Sequence, residues 1–226
     1  MRQVIIALLL ASPGLVGLSA YAADAKTPQP PATKICTPTE LIVATNFDRA
    51  TPPTRKGPVN GWQAGIGEWS VADGALRGSE VAEDHHPSSL TYRFTARDLV
   101  IAGEFKLGTA REIAFGCRDT VPPNNHLART GVSGTSLWIQ RMSGISKTTK
   151  SEKIKEQKVT FEPDRWYPIT IEIVGDQYLV RAGDQTITAR HERFRDEKGI
   201  VALIVKGQGA EFRNIALWHA KPAGAE

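Results

Sequence analysis

Apolar residues alternate with polar ones along most of the chain, and the clearest instance is Trp166 to Ala189. There Ile169, Ile171 and Ile173 fall two apart, with Thr170, Glu172 and Val174 between them. This is the period of a strand with one buried face, and a helix would scatter the three isoleucines. A second strand is expected from Tyr178 to Ala182 and a third from Thr186. Gly175-Asp176 and Gly183-Asp184 serve as the turns of an antiparallel meander.

The same reading places strands at Leu41 to Phe47, around Glu68 to Val71, at Ala75 to Gly78, and at Leu90 to Phe94. Further strands are expected at Leu99 to Leu107, Glu112 to Arg118, Ser136 to Met142, Gly199 to Val205 and Glu211 to Trp218. Asp73-Gly74 between two short apolar runs signals a hairpin. Trp62 and Trp69 read as core or rim aromatics rather than ligand platforms. Asp119 to Thr135, rich in Pro and Asn at its start, reads as a loop, and His191 to Lys198 as a charged connector of at most one helical turn. No window keeps a 3.6-residue apolar period. The expected fold is all-β, an antiparallel two-sheet jelly-roll sandwich.

The N-terminus departs from this pattern. Arg2 is followed by a long apolar run broken by Pro13-Gly14, and Ala20-Tyr21-Ala22 precedes Ala23. This is the form of a secretory signal peptide over residues 1–22; Pro13, Gly14 and Gly17 leave too short a span for a membrane anchor. The expected location is periplasmic or secreted. Residues 23–40, with Pro28, Pro30, Pro31 and Pro38, read as an extended lead-in, 41–219 as the sandwich, and 220–226 as a disordered tail.

Formal net charge is +4, with no concentration typical of a nucleic-acid binder. The densest basic segment, Lys147 to Lys158, is interrupted by Glu152 and Glu156 and contains no aromatic residue. It suits a solvated loop or a guarded edge strand; contact with acidic polymers is the alternative. The two cysteines of an exported chain, Cys36 and Cys117, suggest one disulfide, or else two buried thiols.

Several short motifs occur in an order that resembles the exported bacterial 3-keto-disaccharide hydrolase-like family, once a domain of unknown function. They are Asn46-Phe47-Asp48, Trp69-Ser70-Val71, Asp73-Gly74-Ala75-Leu76, Asp98-Leu99 with Glu104-Phe105, Trp166-Tyr167 and Glu211-Phe212-Arg213-Asn214-Ile215. The resemblance implies a concanavalin A-like jelly roll acting on 3-keto sugars. This chain departs from it where chemistry would lie. Of an Asn-Ser-Gly turn and a strand ending in Arg, Arg111 to Arg118 keeps only Arg118. Trp138 stands where a Glu is usual, two residues before the retained Gln140, and Lys206-Gly207 replaces a His-Gly pair.

Candidate chemistry is therefore sparse. Asp84 and His86, within Glu83-Asp84-His85-His86, could stand at the rim of a sugar cleft; the bland reading is a solvated loop. Glu104 and Glu172 are strand carboxylates that face either a site or solvent, and Glu104 is the better catalytic candidate with Asp84 and His86. Arg118, Trp138, Gln140 and Arg141 are candidates for binding substrate, although alternation puts Arg141 on the opposite face from Trp138 and Gln140. Trp138 beside an amide suits a sugar platform or inter-sheet packing.

No metal or cofactor motif is present; Asp119, Asn124, Asn125 and His126 could offer ligands to calcium, without a recognised loop pattern. The expected partner is a carbohydrate or glycoside, with no nucleic acid and no integral membrane segment once the signal is removed. Three functions compete: carbohydrate binding with residual glycoside processing, an active 3-keto-glycoside hydrolase or lyase, and a non-catalytic envelope module.

Overall fold

A computed structural model describes residues 28–47 and 51–224; the expected signal peptide lies outside them. In chain order the strands are β1 (Cys36–Thr45), β2 (Trp62–Ile66), β3 (Glu68–Ala72), β4 (Ala75–Ser79) and β5 (Ser88–Ala96). They continue with β6 (Leu99–Lys106), β7 (Glu112–Asp119), β8 (His126–Ser133), β9 (Ser136–Ser143) and β10 (Lys150–Lys158). The last are β11 (Tyr167–Val174), β12 (Gln177–Ala182), β13 (Gln185–Arg190), β14 (Lys198–Lys206) and β15 (Ala210–Pro222).

All described pairings are antiparallel. One sheet has eight strands in the order β13-β12-β11-β6-β15-β4-β3, with β1 added along the second half of β15. The other has seven, β10-β9-β8-β7-β14-β5-β2. The fold is the expected two-sheet jelly-roll sandwich.

The meander forms as its alternation requires. Val174 pairs with Gln177 and Ala182 with Gln185, so each turn has the two residues expected of it. Asp73 and Gly74 both take positive φ, 52° and 71°, which is the demand of a two-residue hairpin between twisted strands. Ile169, Ile171 and Ile173 are 1% exposed or less within the inter-sheet core. Trp62 and Trp69 join them there, and one turn of 3-10 helix, Glu192–Arg195, forms the charged connector.

Three readings need correction. The expected loop Asp119 to Thr135 contains β8, a central strand whose Arg129, Gly131 and Ser133 lack strand-forming character. The first strand begins at Cys36 rather than Leu41, and the last runs on to Pro222, because these two ends pair with each other. The disulfide is not formed: Cys36 and Cys117 are both free and buried. Cys117 lies in the inter-sheet core on β7, whereas Cys36 lies in a separate apolar cluster with Val100, Val174 and Trp218. Burial pushes both thiols up to about 12, with Glu172 adding to the effect at Cys36.

Glu172 is not a site residue but an anchor. Fully buried on β11, its carboxylate accepts hydrogen bonds from the backbone N–H of Lys34, at 2.8 Å, and of Ile35, at 2.8 Å. Arg181 stands 3.7 Å away and also donates to the carbonyl of Ala32. The proline-rich lead-in is thus held against the eight-stranded sheet by a buried carboxylate that its backbone N–H groups satisfy. We predict that Glu172→Ala lowers stability by about 3 kcal/mol, since it removes charged hydrogen bonds and leaves their donors unsatisfied. Urea unfolding measures this; an unchanged midpoint would show that the lead-in is not anchored through Glu172.

Candidate functional site

Two groups of sequence candidates separate at once. Glu104, on β6 of the eight-stranded sheet, accepts from Arg213 Nε at 2.7 Å and Asn214 Nδ2 at 3.0 Å. Arg213 in turn lies over the Trp166 ring at 4.2 Å. Asp84 accepts from the backbone N–H of Gly67 at 2.8 Å and pairs with Arg55 at 3.4 Å, which locks the turn before β5. His86 is exposed, with its Nδ1 2.7 Å from the Pro87 carbonyl. Asp84, His86 and Glu104 do not meet through any hydrogen bond or ion pair among the described residues. Glu104 and Asp84 are already engaged.

The second group converges. On the seven-stranded sheet, Phe115, Cys117, Thr130, Leu137, Ile139, Val201 and Leu203 point inward and are buried. Alternation therefore turns Arg118, Arg129, Gly131, Trp138, Gln140 and Met142 outward. Register sets Arg129 opposite Gln140, Gly131 opposite Trp138, and Arg129 opposite Gly116. Arg141 faces the other way and pairs with Glu152 at 2.8 Å across the edge strand.

A β-bulge adds His126 to this face. Cys117 pairs with Ala128 but Arg118 pairs with His126, so Leu127 is the extra residue. Leu127 turns into the core, and His126 is re-aimed outward beside Arg118. Its imidazole is pushed down to about 4 by burial, and then by Arg118, Arg129 and His86. Ile200 pairs with both Arg118 and Arg93, so Arg93, Ile200, Arg118 and His126 form one row across β5, β14, β7 and β8.

Burial lowers the pKa of Arg118, with Arg93 adding to it. Burial lowers that of Arg129 too, with Arg118 adding and Glu112 opposing. Both guanidiniums still remain charged.

Between these long side chains lie the small outward positions Ala114, Gly116, Gly131 and Ala202, all buried, with Ile200 and Ile204 among them. Gly131 is there because Trp138 lies flat on it; a Cβ would stand 2.1 Å from the Trp138 ring. The other side of that ring is covered by Lys153, 4.5 Å from its centroid, and Trp138 is only 5% exposed. It is packed and is not an open sugar platform. Lys153 comes from β10, which lies at the sheet edge as the basic segment suggested.

Asp119 accepts from the Asn125 backbone N–H at 2.9 Å, closing its own loop. No group of three His, Cys, Asp or Glu side chains that could hold a metal occurs among the described residues. Two surface cavities lie elsewhere. One of about 290 Å³ is bounded by Ile35, Leu179 and Arg190, and one of about 370 Å³ by Arg97, Thr120 and Arg195. In the larger one Thr120 donates to Glu197 and Arg195 pairs with Asp176. The outer face of the seven-stranded sheet gathers more unsatisfied polar groups, and it is the better candidate.

Sequence reading missed Arg93 and Arg129 on this face and treated His126 only as a calcium ligand. Arg129-Thr130-Gly131-Val132 does alternate, but the expected loop concealed it.

The His126 geometry has a consequence for stability. Its folded pKa lies below its ordinary 6.5, so the unfolded chain takes up a proton that the folded chain refuses. Stability from this group is complete above about 6.5 and is lost as pH falls toward 4. His126→Asn is expected to lose less Tm between pH 7 and pH 4.5 than the parent chain. Parallel Tm profiles would show that the imidazole is not held neutral.

No curated protein sequence matches the chain. Among solved structures, it resembles the carbohydrate-binding module CBM66 from Bacillus subtilis, with TM-score 0.58 and 16% identity over 70% of this chain and 95% of that one. A Bacillus subtilis protein of unknown function with a galectin-like fold gives TM-score 0.60 and 10% identity, covering 82% and 98%. Porphyranase B from Zobellia galactanivorans gives 0.56 and 10%, covering 80% and 92%. At such identities these likenesses show the jelly-roll fold. Residues 56–217 match the family described as the 3-keto-alpha-glucoside-1,2-lyase-like domain, and the chain belongs to that family.

Proposed function

We propose that this protein is an exported carbohydrate-binding jelly roll whose ligand lies on the outer face of the seven-stranded sheet. The observation that carries this reading is the convergence there of Arg118, Arg129 and His126 with Gln140, from three adjacent strands. Guanidinium and amide groups offer the directed donors that sugar oxygens accept. The fold is shared with carbohydrate-binding modules and glycoside-cleaving enzymes, and family membership points the same way. Export is inferred from the signal-like residues 1–22.

Catalysis is reduced or lost in this reading. Trp138 occupies the place where the family resemblance expects a carboxylate, and Glu104 is neutralised by Arg213 on the other sheet. Glu112 shares the outer face but faces Lys206 at 3.9 Å. One observation favours the active alternative: after burial, Arg118 and Arg129, His86 also contributes to lowering the His126 pKa.

Isothermal titration against neutral, acidic and 3-keto oligosaccharides tests both. Binding is expected, with affinity at least about tenfold weaker in Gln140→Ala, a loss of roughly 1.4 kcal/mol. Silence across the panel would overturn the binding reading. Release of product from a 3-keto-glycoside, abolished in His86→Ala, would overturn the loss of catalysis.

A further inference from the structure

We propose that this face selects saccharides that carry negative charge, as uronate carboxylates or sulfate esters. The inference rests on the reading that the outer face of the seven-stranded sheet is where a saccharide binds, and it names the class of ligand.

Three observations support it. Arg93, Arg118 and His126 lie in one row, with Arg129 in the next, and no ion pair among the described residues engages any of the three arginines. Glu112 tempers Arg129 electrostatically without bonding to it. The Nε of Arg129 is buried and has no hydrogen-bond partner, which leaves a donor whose desolvation is not compensated from within the chain. Finally, the Trp138 ring on this face, which neutral sugars would stack upon, is held between Gly131 and Lys153.

These features shift recognition from stacking to charge. A planar guanidinium accommodates a carboxylate or sulfate through two parallel N–H···O bonds. With strands about 4.8 Å apart, the row from β5 to β8 spans three such intervals. Arg93 at one end of the row, Arg118 within it and Arg129 in the next row space the cations to suit a ligand with repeated anionic groups.

The test compares matched probes at low ionic strength: an oligogalacturonate with its methyl ester, and a sulfated galactan oligosaccharide with its desulfated form. At least one acidic probe is expected to bind about tenfold or more tightly than its neutral counterpart. Which pair separates distinguishes carboxylate from sulfate. The preference should shrink as salt is raised, because the row is partly open to solvent. Arg118→Gln and Arg129→Gln should remove it; should those half-buried variants fail to fold, the exposed Arg93→Gln should still reduce it. Lys221→Gln, on the other sheet, should leave it intact.

Equal binding of acidic and neutral forms would overturn the charge selectivity while leaving carbohydrate binding in place. No binding by any of the four probes, alongside silence of the neutral panel, would overturn both. A DNA duplex of mixed sequence that binds as tightly as the best acidic sugar would show a general polyanion surface and overturn the assignment to saccharides.

Discussion

Phe115 of the seven-stranded sheet meets Phe212 of the eight-stranded sheet edge to face, with centroids 5.8 Å apart, and this inter-sheet core governs everything outside it. Each strand must give its apolar residues to that core, so its phase is fixed, and a slip of one residue would turn the whole strand inside out. Thr130 shows how strict the constraint is. It points inward as a hydroxyl and is accommodated because it donates to the Tyr178 hydroxyl at 2.9 Å across the core. With Thr130 inward, Arg129 and Gly131 have no choice but to face out. The composition of the candidate site is therefore a by-product of core packing.

The bulge at Leu127 is the exception that gives the site its imidazole. In an unbroken strand His126 would share the inward face of Ala128 and Thr130. Placing the extra residue at Leu127 satisfies the core with an apolar side chain and turns His126 toward the arginines. A single extra residue thus converts a position of core phase into one of site phase.

Legibility in the sequence follows the same division. The isoleucine stripe of β11 and the Gly-Asp and Asp-Gly turns were readable because alternation and turn chemistry are local properties. Trp138 and Gln140 were readable as a shared face for the same reason. Strand β8 was not, since its Gly131 is dictated by the neighbouring Trp138, which is not a local fact. Glu172 shows the complementary limit: alternation correctly placed it away from the core, but only the folded chain shows that the lead-in covers it. Spacing alone likewise gave no means of knowing that Cys36 and Cys117 lie in two different apolar clusters.

Charge placement separates the two sheets. On the eight-stranded sheet, buried and half-buried charges are matched within the chain, Glu172 by backbone donors and Arg181, Glu104 by Arg213, and Lys106 by Glu211 at 2.8 Å. On the outer face of the seven-stranded sheet, cations accumulate while Glu112 faces Lys206 at the far end. Like charges held together and partly desolvated oppose folding, so the arrangement is a local cost set against the stability of the core. Violations of local consistency of this kind concentrate where a protein meets something outside itself. The chain can match buried charges with partners, as Glu172 demonstrates, and among the described residues Arg93, Arg118 and Arg129 on this face have no ion-pair partner. On the proposed reading, the bound saccharide supplies the missing counter-charge.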